Sequence, residues 1–107
     1  MEFKEYQEAV QRTMNKGEYA LANYCMGLAG ESGEAIDMFK KSMFHGHALD
    51  RNEVVKELGD VLWYLSAIAN EVGLTLEEVA ITNVAKLKKR YPNGFSKADS
   101  LLRVDKE

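Results

Sequence analysis

The chain has 107 residues and a formal net charge of −3, so we expect one domain with a modest core and not a general nucleic-acid binder. Its single cysteine, Cys25, excludes an internal disulfide, and the lack of a CxxC or Cys/His cluster argues against zinc. We interpret Cys25 as a buried thiol. The charged N terminus and the lack of an 18-residue apolar run predict a cytoplasmic protein with no membrane span.

The first half of the chain predicts two helices and a loop. Residues from about 2 to 14 form an amphipathic first helix that the Asn-Lys-Gly segment at 15–17 ends. A second helix begins near residues 18–21 and runs to about Phe44. Residues 45–50 are interpreted as a loop, in which His45 and His47 are either solvated or part of a mobile lid over phosphate.

Two capping signals open the next two helices. Asp50, with a glutamate three residues later, predicts a capping box for a third helix that reaches residue 72 before a glycine. Thr75, again with a glutamate three residues later, opens a fourth helix that Pro92 ends. We expect an all-α, four-to-five-helix bundle-like domain over residues 1–107, with a core at about 18–95 and a short charged tail at 96–107 whose apolar residues dock on a neighbour.

Two carboxylate pairs, each spaced i, i+3, lie on the second and third predicted helices. Glu31 and Glu34 share one helix face, as do Glu57 and Asp60, and each pair lies beside an apolar stripe. We therefore expect four acids to meet at the seam between two packed helices. Like charges so placed repel or protonate, whereas Mg²⁺ or Mn²⁺ accepts several carboxylate oxygens. One pair alone is typical of solvated surface, but the two together predict a metal site.

Two further patterns surround the acids. A glycine lies inside each pair (Gly33, Gly59), which suggests close helix approach or room for a ligand. The third helix carries a predicted core stripe of Val54, Leu58, Val61, Leu65, Ile68 and Val72.

Aromatic residues follow the second acidic pair. Trp63 points away from the predicted core stripe, so we interpret it as an oligomer contact or a base-stacking wall. Tyr64 lies one turn beyond Asp60 and either contacts the sugar or base of a ligand or packs in the core.

A polar row on the fourth predicted helix consists of Asn83, Lys86 and Arg90, spaced so that all three project from one side. Arginine binds phosphate as a planar fork and lysine as a point charge. The alternative is a solvated basic helix end that the helix dipole favours.

Taken together, these motifs resemble the all-α nucleotide pyrophosphohydrolases of the MazG type. The resemblance covers about residues 24–95 and includes Glu31-x-x-Glu34, a gap of 22 residues, Glu57-x-x-Asp60, and Asn83-x-x-Lys86-Leu-x-x-Arg90-Tyr-Pro-x-Gly-Phe95. It implies Mg²⁺-dependent hydrolysis of a nucleoside triphosphate to the monophosphate and pyrophosphate, in a homodimer or tetramer.

The resemblance also implies roles for single residues. The four acids would hold one or two ions, with Glu31 the preferred candidate for activating water, and Lys86 and Arg90 would bind the triphosphate. Asn83 would contact phosphate or sugar, and Tyr64 the sugar or base. Polar side chains of the first helix would contact the base, namely Tyr6, Gln7 and Gln11.

Two other functions fit the same residues. One is a related enzyme with another substrate, such as a phosphoribosyl-ATP pyrophosphohydrolase or a deoxynucleotide-specific house-cleaning enzyme. The other is a non-catalytic helical oligomerisation module that binds nucleotide without cleaving it.

Overall fold

A computed structural model describes residues 1–106, and this part of the chain is all-helical. Its elements are α1 (Phe3–Gln11), α2 (Ala20–Phe44), α3 (Arg51–Glu71), α4 (Leu76–Arg90), α5 (Lys97–Leu102) and a 3₁₀ turn (Val104–Lys106). The predicted all-α class is confirmed. Within residues 1–106, no helix is both long and apolar enough to cross a membrane.

The helix starts follow the capping signals of the sequence. The Asp50 carboxylate accepts the backbone N–H groups of Asn52 and Glu53, at 2.9 and 3.4 Å, and so opens α3. The Thr75 hydroxyl accepts the N–H of Glu78 at 3.0 Å and opens α4. Side-chain caps thus satisfy donors that the first turn of a helix leaves free.

The first helix is shorter than predicted because its chain tightens after Gln11. The backbone N–H groups of Arg12 and Thr13 bond to carbonyls three residues back, at 3.2 and 3.0 Å, instead of four. The Thr13 hydroxyl also donates to the Val10 carbonyl at 3.3 Å. α1 therefore ends at Gln11, and the next residues turn towards α2.

Helices α2 and α3 form the main pair, and they run antiparallel. Gly27 lies against Tyr64, and Glu31, further along α2, lies beside Asp60, which comes earlier in α3. α1 packs across one end of this pair and against α4. The core forms where α1 meets the pair, around the buried residues Val10, Ala20, Tyr24 and Ala67.

A buried glutamine holds α1 to the α3–α4 turn. The Gln7 amide nitrogen donates to the Asn70 side-chain oxygen at 2.9 Å and to the Leu74 carbonyl at 3.0 Å, and its oxygen accepts the Leu76 N–H at 2.7 Å. These bonds use both ends of the amide inside the protein. The prediction that Gln7 contacts a base is therefore wrong.

The inner face of α3 differs from the predicted stripe. Its buried residues are Ser66, Ala67 and Ala69, whereas Leu58 and Leu65 are 52% and 40% exposed. Val72 of the stripe is also exposed, whereas Ile68 packs against the core. A face of small and aromatic residues packs on α2. Apolar periodicity identifies a hydrophobic helix face, but it does not show whether residues of the same chain or of another chain cover that face.

Trp63 and Cys25 also lie where the sequence did not place them. Trp63 is half-buried and packs against the core, so its predicted position away from the core is wrong. Cys25 is exposed, because the neighbouring Tyr24 occupies the inner face of α2.

The chain is open for its size. Its accessible surface is 8169 Å², whereas a compact protein of 12.1 kDa exposes about 6,000 Å². Its radius of gyration is 17.0 Å, against about 13 Å for a compact domain of this length. The expected bundle is therefore not closed within one chain.

Candidate metal and nucleotide site

Three carboxylates meet where α2 crosses the first half of α3. Glu31, Glu57 and Asp60 each offer a carboxylate oxygen, and these oxygens lie within 4.8 Å of one another. Antiparallel packing brings an acid on α2 next to two acids one turn apart on α3. Glu34, one turn after Glu31, lies near it at the exposed edge of the group, where its charge acts on Glu31.

The electrostatics of the cluster favour a bound cation. Burial raises the pKa of Glu31, and the charges of Glu34 and Asp60 raise it further. Burial also raises the pKa of Glu57, with Glu34 and Asp60 adding to the shift. One carboxylate oxygen (Oε2) of Glu31 and one of Glu57 are shielded from solvent and have no hydrogen-bond partner. A hard divalent ion is the group that such unpartnered oxygens fit.

A cavity of about 340 Å³ opens beside the acids and is lined by Thr13, Glu31, Asp60, Trp63 and Tyr64. The Trp63 ring makes T-shaped contacts with two tyrosines, and its centre lies 5.8 Å from that of Tyr24 and 5.0 Å from that of Tyr64. The cavity thus has an acidic side and an aromatic side, and its volume is within the range of small-molecule sites.

Close helix approach occurs at Gly27 and not at the two glycines inside the acidic pairs. A Cβ atom at Gly27 would lie 2.1 Å from the Tyr64 ring, whereas one at Gly33 or Gly59 would meet no atom within 4 Å. Gly27 therefore lets Tyr64 lie flat on α2 while the ring also borders the cavity. Tyr64 thus packs between the helices, as one interpretation expects, whereas its contact with the sugar or base of a ligand stays a prediction.

The fold places the polar residues of α1 in different surroundings, with one near the acids and another at a separate cavity. Burial raises the pKa of Tyr6 and the Asp60 charge adds to it, so the phenol lies near the acidic group. Gln11 lines a different cavity, between α1 and the α3–α4 turn.

The polar row of α4 lies apart from the acids within one chain. Asn83 and Lys86 line a separate cavity of about 390 Å³ with residues of α4 and the turn before it. Arg90 donates from Nε and Nη2 to the two carboxylate oxygens of Asp105, at 2.6 and 2.7 Å. The tail thus occupies the Arg90 guanidinium group in this structure, and the binding of triphosphate by Lys86 and Arg90 stays a prediction. α4 packs on α1 and the tail, which carries this row away from the α2–α3 seam.

The loop histidines stay outside the site. His45 and His47 are exposed in the segment between α2 and α3, as one of the two interpretations of this loop expects. Sequence reasoning missed Thr13, which lines the cavity, and it had no motif by which to find it. The signal for Gly27 was its place in the interior of a helix, where glycine is unfavourable.

The fold and the acidic group place this chain in a class of all-α proteins in which carboxylates from two helices form a candidate divalent-metal site. A family model for the MazG nucleotide pyrophosphohydrolase domain matches residues 19–95. The chain therefore belongs to this family, as the resemblance of its motifs implied. The match includes α2, α3 and α4 and leaves α1 outside.

Among curated proteins, the chain is similar to the gene 37 protein of Mycobacterium phage L5. The two are 35% identical over 78 residues, which cover 69% of this chain and 68% of the phage protein. No solved structure is significantly similar to the chain. Membership of the family supports a hydrolase that acts on nucleotides.

Proposed function

We propose that the protein hydrolyses nucleoside or deoxynucleoside triphosphates to the monophosphate and pyrophosphate with Mg²⁺, as a cytoplasmic house-cleaning enzyme of the nucleotide pool. The observation that carries the proposal is the three-carboxylate cluster with its two shielded, unpartnered oxygens. Membership of a pyrophosphohydrolase family gives the reaction class.

The acids would hold the metal and handle the proton of water. Glu31, Glu57 and Asp60 are the ligands that the geometry favours, and Glu34 joins them at the exposed edge. An Mg²⁺ ion held by these acids, or Mn²⁺ in its place, would supply charge neutralisation for the phosphates. A carboxylate of the same group, with Glu31 preferred, orients the attacking water and accepts its proton. The aromatic side of the cavity excludes water and packs on the nucleoside.

The substrate phosphates need cationic partners, which the acidic cavity of one chain does not supply. Asn83, Lys86 and Arg90 stay our candidates, and we propose that they reach the triphosphate from a second copy of the chain. Arg90 would then exchange the Asp105 carboxylate for a phosphate group, which presents similar oxygen acceptors. An exposed apolar face of α3 supports a homodimer or tetramer, and it consists of Val55, Leu58, Leu62 and Leu65.

The decisive experiment measures pyrophosphate release with a panel of nucleoside triphosphates, deoxynucleoside triphosphates and phosphoribosyl-ATP in the presence of Mg²⁺. We expect Glu57→Gln to lower kcat at least about a hundredfold, because it removes a ligand charge that neutralises the phosphates. The matched control is Glu71→Gln, an exposed acid at the end of the same helix, which should leave turnover unchanged.

Metal binding is measured separately by calorimetry with Mn²⁺. The wild-type protein should bind Mn²⁺, and Glu57→Gln should bind it far more weakly. Unchanged pyrophosphate release in Glu57→Gln would contradict the catalytic assignment, and preferred cleavage of phosphoribosyl-ATP would change the substrate.

A further inference from the structure

A hydrogen bond joins the end of α1 to the wall of the acidic cavity. The Trp63 indole N–H donates to the Thr13 hydroxyl oxygen at 2.9 Å, across 50 positions of sequence. The same hydroxyl donates to the Val10 carbonyl at 3.3 Å, which fixes the direction of its lone pairs. Thr13 thus links the last turn of α1 to the aromatic side chain that follows Asp60 by one turn.

The segment that contains Thr13 is held to both helices of the site. The Tyr24 hydroxyl donates to the Asn15 carbonyl, so a side chain of α2 holds the backbone two residues beyond Thr13. The Trp63 ring makes T-shaped contacts with Tyr24 and Tyr64, and the indole N–H is its single polar group. The hydrogen bond to Thr13 therefore sets which way the indole is turned within this aromatic group.

Thr13 and two of the acids border the same cavity. Both Thr13 and Trp63 line it, together with Glu31 and Asp60. A nucleotide whose phosphates lie at the acids, through a metal ion, has its uncharged nucleoside on the side of Thr13, Trp63 and Tyr64. Aromatic and hydroxyl-bearing walls suit a base or sugar, which combines flat apolar faces with polar edges.

We propose that Thr13 is a positioning residue for the nucleoside part of the substrate, and that it acts by fixing the Trp63 indole as one wall of the cavity. This inference rests on the proposed function, since it deepens the account of the same site. Thr13 lies in the turn after α1 and outside residues 19–95, so the family match does not include the residue to which this role is assigned.

The test compares Thr13→Val, which has nearly the same shape but no hydroxyl, with Thr13→Ser, which keeps the hydroxyl. Trp63 is the only tryptophan, so fluorescence excited at the long-wavelength edge of indole absorption, where tyrosine does not absorb, reports on this side chain alone. We expect Thr13→Val to shift the Trp63 emission and to raise KM about three- to tenfold, with kcat changed less than about twofold. Thr13→Ser should restore both KM and emission. Thr13→Ala replaces Thr13→Val if circular dichroism shows that the valine variant is unfolded.

A second readout separates this inference from the proposed function. A non-hydrolysable α,β-imido triphosphate is titrated with Mg²⁺ while Trp63 fluorescence is followed, so no turnover is needed. A three- to tenfold weaker Kd in Thr13→Val supports the inference, even if the wild-type protein releases no pyrophosphate and the proposed reaction is wrong. Equal Kd and KM in the wild-type protein and Thr13→Val, with a shifted emission and a lower melting temperature, would overturn it and leave Thr13 a purely structural contact.

Discussion

At the scale of single residues, the missing side chain of one glycine allows α2 and α3 to pack closely beside the acids. Gly27 has no Cβ, and the Tyr64 ring fills the space where that atom would be. Gly30 lies on the same helix, three residues further on, and a Cβ there meets nothing within 4 Å. The two glycines look alike in the sequence, but only the first makes room for a neighbour. Their substitution by alanine separates close packing from simple helix propensity.

We expect Gly27→Ala to destabilise the protein by about 1–3 kcal/mol, because the added methyl group forces Tyr64 from its place. Displacing Tyr64 narrows the cavity, so KM for the nucleotide should also rise. Gly30→Ala should be neutral or stabilising by up to about 1 kcal/mol, since alanine favours the helix. Urea unfolding of both variants checks this prediction. Equal stability changes at the two positions would show that the Tyr64 contact does not constrain Gly27.

At the scale of elements, an ion pair fastens the C-terminal tail to α4. The Asp105 side chain is 1% exposed, and Arg90 binds both of its oxygens. Arg103, in the left-handed backbone conformation at φ 52°, caps α5 and turns the chain back so that Asp105 reaches α4. The tail that the sequence presents as a short charged extension is therefore a docked element.

This ion pair predicts a pH-dependent stability. The hydrogen bonds from Arg90 hold the pKa of Asp105 well below its usual range. A carboxyl group whose pKa is lowered on folding stabilises the protein above its unfolded pKa, near 4, and this contribution is lost as the pH falls below that value. We expect Asp105→Asn to lower the melting temperature by several degrees at pH 7, and the difference from wild type to shrink below about pH 4.

A surface ion pair serves as the control for the buried one. Asp37 pairs with Lys40 and Lys41 at 3.3 and 3.0 Å, and all three side chains are at least 41% exposed. Since water and salt screen such pairs, Asp37→Asn should change the melting temperature much less than Asp105→Asn. Thermal melts between pH 3 and 7 make the comparison. A constant difference between Asp105→Asn and wild type across this range would contradict the role assigned to the ion pair.

The whole molecule exposes more apolar surface than its size requires. Val55, Leu58, Leu62 and Leu65 recur on α3 at spacings of three and four, and each is at least 36% exposed. Such spacing is typical of a helix face that packs on another helix. Together with the large radius of gyration, this stripe supports a second copy of the chain as the missing layer.

We expect the protein in solution to have a mass of twice or four times 12.1 kDa by light scattering. The double substitution Leu58→Lys and Leu62→Lys places charges in the proposed interface. It should yield monomers that release little pyrophosphate from nucleoside triphosphates. Lys56→Ala, on an exposed polar position of the same helix, is the control and should keep both mass and activity. A wild-type mass of 12.1 kDa would contradict the proposed oligomer.

The sequence by itself determined the features that depend on neighbours a few positions apart. Caps at Asp50 and Thr75, the ends of α2 and α3, and the i, i+3 pairing of acids all follow from local geometry. The all-α class follows from the same periodicity, and the family follows from the spacing of the motifs. For the caps and the acidic pairs, the partner group lies within one turn of the same helix.

Only the tertiary structure decided which faces of those helices meet. Periodicity identified an apolar stripe on α3, but it could not tell that Trp63 packs inwards while Leu58 stays exposed. It also could not show that the tail occupies Arg90 or that Thr13 reaches the cavity. These contacts join residues from 15 to 50 positions apart, and their free energy depends on how whole elements pack.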